Sequence, residues 1–415
     1  MSAKFILRQY NQIKGGGIKV LYKKILLSLS ILFKITIATF FLPCAIIIRI
    51  IKPIKVIRIG KLFSHRLGHF AFEPEIYLCE RDIGLHNSID IFYCHSLISN
   101  QQIKKMWSRH INIKNYIKPI DWANRLLPGY RNHVVPLCSF KHEDPKGLLD
   151  KLPSHLYFTA EEEKQALEEL KLLGVPEGKK FICFHTRDSS YLNMSMPLND
   201  YSYHDYRDSS IHNYLDAANA IAQRGYYVLR MGAVVRDKIQ TKNVRIIDYA
   251  CCGRSDFMDI YLLSKCHFLI AANSGPCAVA TIFRRPNAFV NVAPFMGASG
   301  IYRSHDLFIP KKYWLSMDQR FMTFKEILSS GAAYFDHTHM YENLGIVLVE
   351  NSPEEIRSLA IEMDERLGGT WETTEEEEYL QRKFRWIFEK NGLKDIRMPR
   401  IGTAFLRDNQ DLLAC

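Results

Sequence analysis

The chain has 415 residues, too many for one ordinary hydrophobic core of ~100 to 200 residues, and with 47% apolar and 24% charged residues it is neither disordered nor fibrous. Its formal charge of +11 is concentrated: residues 1–72 hold thirteen Lys and Arg and no Asp or Glu, and removing that +13 leaves −2 for residues 73–415. A nearly neutral body with no basic field argues against a nucleic-acid partner.

The N-terminal stretch ILLSLSILFKITIATFFLPCAIII, residues 25–48, carries one charge, Lys34, and is long enough to cross a hydrocarbon core that needs ~20 residues. Lys34 and Pro43 interrupt it, and both flanks are basic: Lys19, Lys23 and Lys24 before, Arg49, Lys52, Lys55 and Arg58 after. That symmetry departs from the positive-inside asymmetry of a single span and favours a helix that lies in, or re-enters, the membrane interface against anionic lipids. No small-residue cleavage site follows a short apolar core, so a removable signal peptide is disfavoured. The expected location is the cytoplasmic face of a bacterial inner membrane, as a peripheral, monotopic or single-span protein. Asn193 begins an Asn-x-Ser triplet that would suit a secretory lumen, but such triplets arise often by chance.

Beyond the anchor, IKVIRIG (54–60), IDIFYCH (89–95) and HVVPL (133–137) read as strands with helical stretches between them. TAEEEKQALEELKLLG (159–174) is a helix with Thr159 as N-cap, acids in its first turn and Gly174 after its end. It delivers the chain into KKFICFHTRD, whose apolar run is a central strand. Further strands follow at YYVLRMG (226–232), VRIIDY (244–249), CHFLIAANSG (266–275) and NAFVNVAP (287–294), with helices at 210–225 and 257–265 between them. Strand and helix alternating at this spacing specify a parallel sheet covered on both faces. The expected class is α/β: two Rossmann-like domains facing across a cleft, preceded by an N-terminal membrane-associated helical segment. The expected boundaries are an anchor over 1–53, an N-terminal acceptor domain over 54–158, a C-terminal nucleotide-sugar domain over 159–372, and a helix and tail over 373–415 that pack back across the domains. In the tail, TTEEEEYLQRKFRWIF (373–388) places Tyr379, Phe384 and Phe388 on one apolar stripe.

Ligands of open α/β sheets bind beyond the carboxyl ends of the strands, and the polar residues fall there. His185, Arg187 and Asp188 follow one strand, Arg230 and Gly232 another, Asn273, Ser274 and Gly275 a third. Each alone has an ordinary structural reading as an ion-pair partner, core histidine or turn residue; the clustering is what points to a site. Neither G-x-G-x-x-G after the first strand of either half nor G-x-x-x-x-G-K-[ST] is present, so the usual phosphate cradles are missing. NSGPCAVATIF supplies another: a Ser-Gly turn opening a helix offers free amides and the positive helix end. Arg187 and Arg230 offer forked donors to the same diphosphate. The ten cysteines, Cys44, Cys138 and Cys183 among them, lack the density of a disulfide scaffold, and the adjacent Cys251 and Cys252 lack metal-ligand spacing. No metal and no cofactor is expected.

RLGHFAFEPEIYL (66–78), FHTRDSSYL (184–192), YRDSSIHNY (206–214), GYYVLRMG (225–232), SDFMDIYLLSKCHFLIAANSG (255–275) and IGTAFL (401–406) together make the chain resemble a family of bacterial glycosyltransferases found with surface-polysaccharide genes. HTRD also resembles the H-x-R strand end of fucosyltransferase-like enzymes, where the arginine meets the donor diphosphate. The resemblance implies a GT-B architecture with a nucleotide-sugar donor in the C-terminal half and a glycan or glycolipid acceptor largely in the N-terminal half. With no D-x-D motif in the chain, stabilisation of the leaving group falls to Arg187, Arg230, Ser274 and Gly275. His185, Asp188, Tyr206, Arg207, Gly232, Asp248 and Asn273 complete the expected donor side. His65, Arg66, Gly68 and His69 form the expected acceptor side, with His69 or Glu73 as base and Arg187 as the third catalytic group. The expected activity is transfer of a sugar to a lipid-linked or surface-polysaccharide acceptor. The competing readings are a nucleotide-sugar epimerase of the same fold and a non-catalytic sugar-nucleotide-binding membrane protein.

Overall fold

The computed structural model describes residues 3–85, 87–137, 144, 146–190, 194, 200–296, 303–393 and 398–414. Asn193 and Cys138 lie outside the described residues. The chain divides into two compact units. The first holds residues 1–62, 84–95 and 111–137; the second holds 63–83, 96–110 and 138–415.

The first unit begins with helices α1 (Ala3–Phe40) and α2 (Leu42–Ile51). Gly17 breaks α1 with a φ of 62° and a ψ of −157°, a conformation that only glycine adopts without strain. Pro43 sits in the first turn of α2, where its missing N–H costs nothing. No single helix among the described residues is long and apolar enough to cross a membrane; the pair Val20–Phe40 and Leu42–Ile51, bent by 53°, is so only when taken together. Strands β1 (Val56–Leu62) and β2 (Ser88–Cys94) pair in parallel from Val56↔Ser88 to Leu62↔Cys94. HVVPL, expected as a third strand, contributes one bridge, Val134 to Ile59, and then leaves the sheet at Pro136. Among the described residues this unit's sheet therefore has two strands rather than the open sheet of a full Rossmann-like domain. Ile48 of α2 packs on Ile59, Tyr93 and Ile117, while Ala38 and Ala45 pack on Ala123 of a later helix of the same unit.

Helices α3 (Leu67–Asp82) and α4 (Gln101–Trp107) belong to the second unit, and α5 (Lys118–Leu126) to the first. In the second unit, α6 (Ala160–Leu172) has the expected cap: Thr159 and Glu162 form a reciprocal capping box. The core is a seven-stranded sheet in the order β12-β8-β7-β6-β3-β4-β5, every pairing parallel. Its strands are β3 (Phe181–His185), β4 (Tyr227–Arg230), β5 (Ile246–Ile247), β6 (Leu269–Ala271), β7 (Asn287–Val292), β8 (Leu307–Pro310) and β12 (Arg400–Ile401). β3, β6, β7 and β8 are almost wholly buried, as apolar runs covered on both faces should be. Helices α7 (Leu215–Gln223) and α8 (Asp256–Lys265) connect successive strands. A separate antiparallel sheet, β10-β9-β11, joins β9 (Lys312–Leu315), β10 (Arg320–Phe321) and β11 (Ile346–Val349). The expected tail stripe is corrected at one position: Tyr379 is 57% exposed, and the buried face comprises Leu380, Phe384, Ile387 and Phe388.

Candidate functional site

The strand order runs outward from β3 to β4 and β5 on one side, and from β6 to β7 and β8 on the other. The switch point therefore lies between the carboxyl ends of β3 and β6, where connections leave in opposite directions and a crevice opens. From β3 the chain enters it with His185, Thr186, Arg187 and Asp188; from β6 it enters with Asn273, Ser274 and Gly275, the last opening helix α9 (Gly275–Ile282). His185 Nδ1 and Ser274 Oγ are 3.1 Å apart, joining the two sides. Ser274 is the N-cap of α9 but makes no side-chain cap bond, its hydroxyl being turned to His185.

α3 abuts the same place. A Cβ built on Gly275 would lie 3.2 Å from Leu67 Cβ and 3.3 Å from Gly68 N, and one on Gly68 would lie 3.4 Å from Gly275 Cα. Only two glycines let these helix starts approach so closely. The expected acceptor residues and the expected phosphate turn are thereby brought together within one unit. Arg66, exposed, is the N-cap of α3, and the His65 ring lies 6.2 Å from that of Phe63.

Positive charge converges on this crevice. Arg207 donates from Nη2 to the Asn273 carbonyl at 2.5 Å, while its buried Nε has no protein partner. Arg187 donates to the His204 carbonyl at 3.0 Å and pairs with Asp208. Burial, then Arg187, holds the Arg207 pKa down, with Arg66 acting in the same sense. Three histidines nearby are held neutral chiefly by burial: His185 at about 4, His69 at about 4 with Arg66 adding, and His204 at about 3 with Arg207, Arg187 and Arg66 adding. Like charges packed this way leave the crevice short of an anion.

His69 and Glu73, one helical turn apart on α3, form a buried pair with Nδ1 and Oε1 at 2.6 Å. Burial pushes Glu73 up to about 8. At neutral pH the pair thus holds one exchangeable proton between a neutral ring and a largely protonated carboxyl, and it titrates as a unit.

Beside the crevice lies a cleft of about 580 Å³. Asp188, Asp205, Asp208, Asp237, Glu342 and Glu350 line it, against Arg230, Arg236 and Lys311. Such a surface suits a hydroxyl-rich ligand better than a polyanion. Its wall is the 202–214 segment, whose Tyr206 is buried and 5.3 Å from the Tyr341 ring. Four groups hold that segment: Arg187, Arg207, Glu350 accepting from Ser210 N at 2.9 Å and Asn213 Nδ2 at 3.0 Å, and Lys311 donating to the Asp208 carbonyl at 2.6 Å. Burial pushes Asp208 up to about 6 although Arg187 opposes it.

Arg230 is 1% exposed; it donates to the Asp237 carbonyl and meets Asp248 Oδ2 at 3.5 Å, while its Nε has no hydrogen-bond partner. Asp248 Oδ2 also accepts from Ile239 N at 2.9 Å, so Arg230 and Asp248 hold the 237–239 turn at the cleft edge. Gly232 leaves room for Val235, whose Cγ1 would lie 2.5 Å from a Cβ there. Asp188 accepts from Ser190 N at 2.8 Å and Arg236 N at 3.2 Å. Lys311, Asp208 and Arg236 were not singled out from sequence. Lys311 follows β8, a strand that was not foreseen, so its place at a strand end carried no signal.

Glu75, Cys79 and His155 bring ligand-type atoms within 4.8 Å of one another. Arg284 already sits there, with Nη2 2.6 Å from Glu75 Oε1, and hydrogen bonds to Cys79, Glu75 and Asp82 push His155 up to about 10 against its burial. The cluster is therefore an ion-pair network in which arginine and histidine supply the positive charge.

No protein-family model matches the chain, and no curated protein matches it. Among solved structures it is similar to the glycosyl transferase family 9 protein from Veillonella parvula, at 14% identity over 75% of this chain and 96% of that one, with a TM-score of 0.44. It is also similar to E. coli ADP-heptose lipopolysaccharide heptosyltransferase II, at 11% identity over 57% and 86% with a TM-score of 0.33. A third likeness is to the iron-containing dodecameric glycosyltransferase TibC of enterotoxigenic E. coli, at 12% identity over 57% of each chain with a TM-score of 0.31. At such scores the likeness is loose, and the functional reading rests on this chain's own residues.

Proposed function

We propose that the chain is a glycosyltransferase that transfers a sugar from a nucleoside diphosphate sugar to a lipid-linked or surface-polysaccharide acceptor at the cytoplasmic face of a bacterial inner membrane. One observation carries the reading: a cationic crevice at the sheet's switch point adjoins a carboxylate-lined cleft of about 580 Å³. A sugar nucleotide has the complementary pattern, a diphosphate between hydroxyl-rich groups. Arg207, with an unspent Nε, and Arg187 take the diphosphate together with the start of α9. The carboxylates of the cleft accept from hydroxyls.

In a direct displacement the acceptor oxygen attacks the anomeric carbon, and the carbon–oxygen bond to phosphate breaks. The leaving diphosphate gains the charge, which Arg187, Arg207 and the helix start stabilise. The acceptor proton passes to the His69–Glu73 pair, through Nε2 because Nδ1 is committed to Glu73. That requires the pair to have lost its shared proton first. Membrane association is supported by the exposed apolar side chains Ile25, Leu27, Leu29, Leu32 and Phe33 on α1, flanked by basic residues.

The test is nucleoside diphosphate release from a panel of sugar nucleotides by the full chain, with and without a membrane lipid extract. Release from one donor, lost in Arg207→Ala and Arg187→Ala, supports the reading. Silence across the panel with no donor bound overturns it.

A further inference from the structure

The antiparallel sheet meets the cleft with an unpaired edge. Among the described residues, β11 is bonded to β9 on one side and to no strand on the other. Main-chain groups alternate in direction along an antiparallel strand, and the register fixes which way each points. Ser316 N donates to the Gly345 carbonyl at 3.0 Å, so the bonds between β9 and β11 fall at Gly345, Val347 and Val349. β9 turns its remaining groups to β10, where Met322 N donates to the Tyr313 carbonyl at 2.8 Å. Ile346 and Leu348 therefore point their N–H and C=O groups away from β9, and none of the four has a partner among the described residues.

That edge faces the cleft of about 580 Å³. Side chains alternate between the two faces of a strand, yet Ile346, Val347 and Leu348 all line the cavity, which three consecutive residues do only where the cavity runs along the main chain. Tyr206, Ile211 and Tyr341 line it too and are buried, so apolar walls stand beside the open main-chain groups. The Ile346 carbonyl and the Leu348 N–H are neighbours on this edge, the pair that one residue of a parallel strand would engage. A flat ring with a donor next to an acceptor on its rim fits the same pair.

Beyond Leu348 the wall continues in the order of a nucleotide. Two residues on, Glu350 Oε2 accepts from Ser210 N at 2.9 Å and from Asn213 Nδ2 at 3.0 Å, leaving Oε1 without a partner among the described residues. Two residues before Ser210, Asp208 pairs with Arg187. Main-chain edge, carboxylate and guanidinium thus follow one another as base, ribose and diphosphate do.

We infer that the base of the donor docks edge-on to β11, bonded to the Ile346 carbonyl and the Leu348 N–H, with Glu350 taking a ribose hydroxyl; this rests on the sugar-nucleotide reading above. All four common bases carry a donor next to an acceptor on the Watson–Crick edge, so the strand selects for a base rather than for one base.

Titration calorimetry of the full chain with the diphosphates of adenosine, guanosine, uridine and cytidine tests it, with inorganic pyrophosphate as the probe that lacks a base. The tightest of the four should lose about tenfold in affinity when methylated at the ring nitrogen of its Watson–Crick edge, because the methyl group keeps the ring off the strand. Leu348→Pro removes the outward N–H while Val347 and Val349 keep the bonds to β9, and an outward N–H is where an edge strand accepts proline. It should lower the preference for that nucleotide over pyrophosphate by about tenfold. A methylated nucleotide bound as tightly as its parent, or a folded proline variant with the wild-type preference, would overturn the base site and leave glycosyl transfer standing. Binding of no nucleotide would remove both. Should the proline variant fail to fold, the methylated nucleotide on the wild type decides.

Discussion

Replacing Glu73 with Gln should make the protein progressively more stable than wild type as the pH rises. Burial moves the Glu73 pKa from 4.5 to about 8 in the folded chain. Between those values the unfolded chain has released a proton that the folded chain keeps, so wild-type stability falls as pH rises through the window, by about 1.4 kcal/mol per unit. The full span of the window amounts to at most about 5 kcal/mol for a side chain that is almost wholly enclosed. Gln cannot ionise, so this loss is absent from the variant. His69, held at about 4, works in the opposite sense: its neutral form contributes stability that is lost as pH falls from 6.5 toward 4, in both proteins. Urea unfolding of wild type and Glu73→Gln at pH 5, 6.5, 8 and 9 should show a stability difference that climbs in favour of the variant up to about pH 8 and then levels. A difference flat with pH would mean that Glu73 ionises normally, and the shared-proton account of the pair would be wrong. The same titration governs turnover. Through Nε2 the pair acts as a base only after losing its proton, so turnover should rise about tenfold between pH 7 and 9.

Arg187→Ala should lower donor turnover by about 10²- to 10³-fold, the scale of losing one preorganised donor to a developing oxyanion, read as nucleoside diphosphate release at saturating donor. Gly275→Ala places a methyl 3.3 Å from the Gly68 backbone nitrogen, which cannot rotate away; urea midpoints should show a loss of about 1 to 3 kcal/mol. Arg284→Ala removes one of the two cations beside the Glu75 carboxylate, 0% exposed and 2.6 Å from that guanidinium, and leaves it to His155 at 3.2 Å. It should cost about 1 to 3 kcal/mol, and adding Glu75→Gln should restore part of that in a double-mutant cycle.

The strands β3 to β7 of the central parallel sheet were legible because they are apolar runs ended by polar residues or glycine, as at Phe181–His185 and Asn287–Val292, whereas β8 and β12 were not. The cap of α6 was legible too, since Thr159 followed by acidic residues in the first turn is a local signal. The pairing of β9, β10 and β11 into an antiparallel sheet was not. Trp314 and Val347 pair across it from segments that carry no alternation of their own. The reduction of HVVPL to one bridge depends on where Pro136 leaves the sheet, which periodicity does not record. At the site, the residue types at the strand ends were visible and their partners were not. Nothing local indicates that Gly68 and Gly275 touch, or that Arg207 reaches across to Asn273. These pairings depend on strand order.

The anchoring of residues 202–214 by Arg187, Arg207, Lys311 and Glu350 moves the entropic cost of shaping the cleft from ligand capture to folding. A ligand then meets a wall already in place, and its affinity carries little penalty for conformational selection. Loosening an anchor remote from the ligand would reintroduce that penalty without removing a single contact: a wall in place only a tenth of the time weakens apparent binding about tenfold. Variation at Lys311, which is assigned neither to the diphosphate nor to the ligand's hydroxyls, is therefore a means of tuning occupancy at a given substrate concentration while the chemistry of the crevice stays the same.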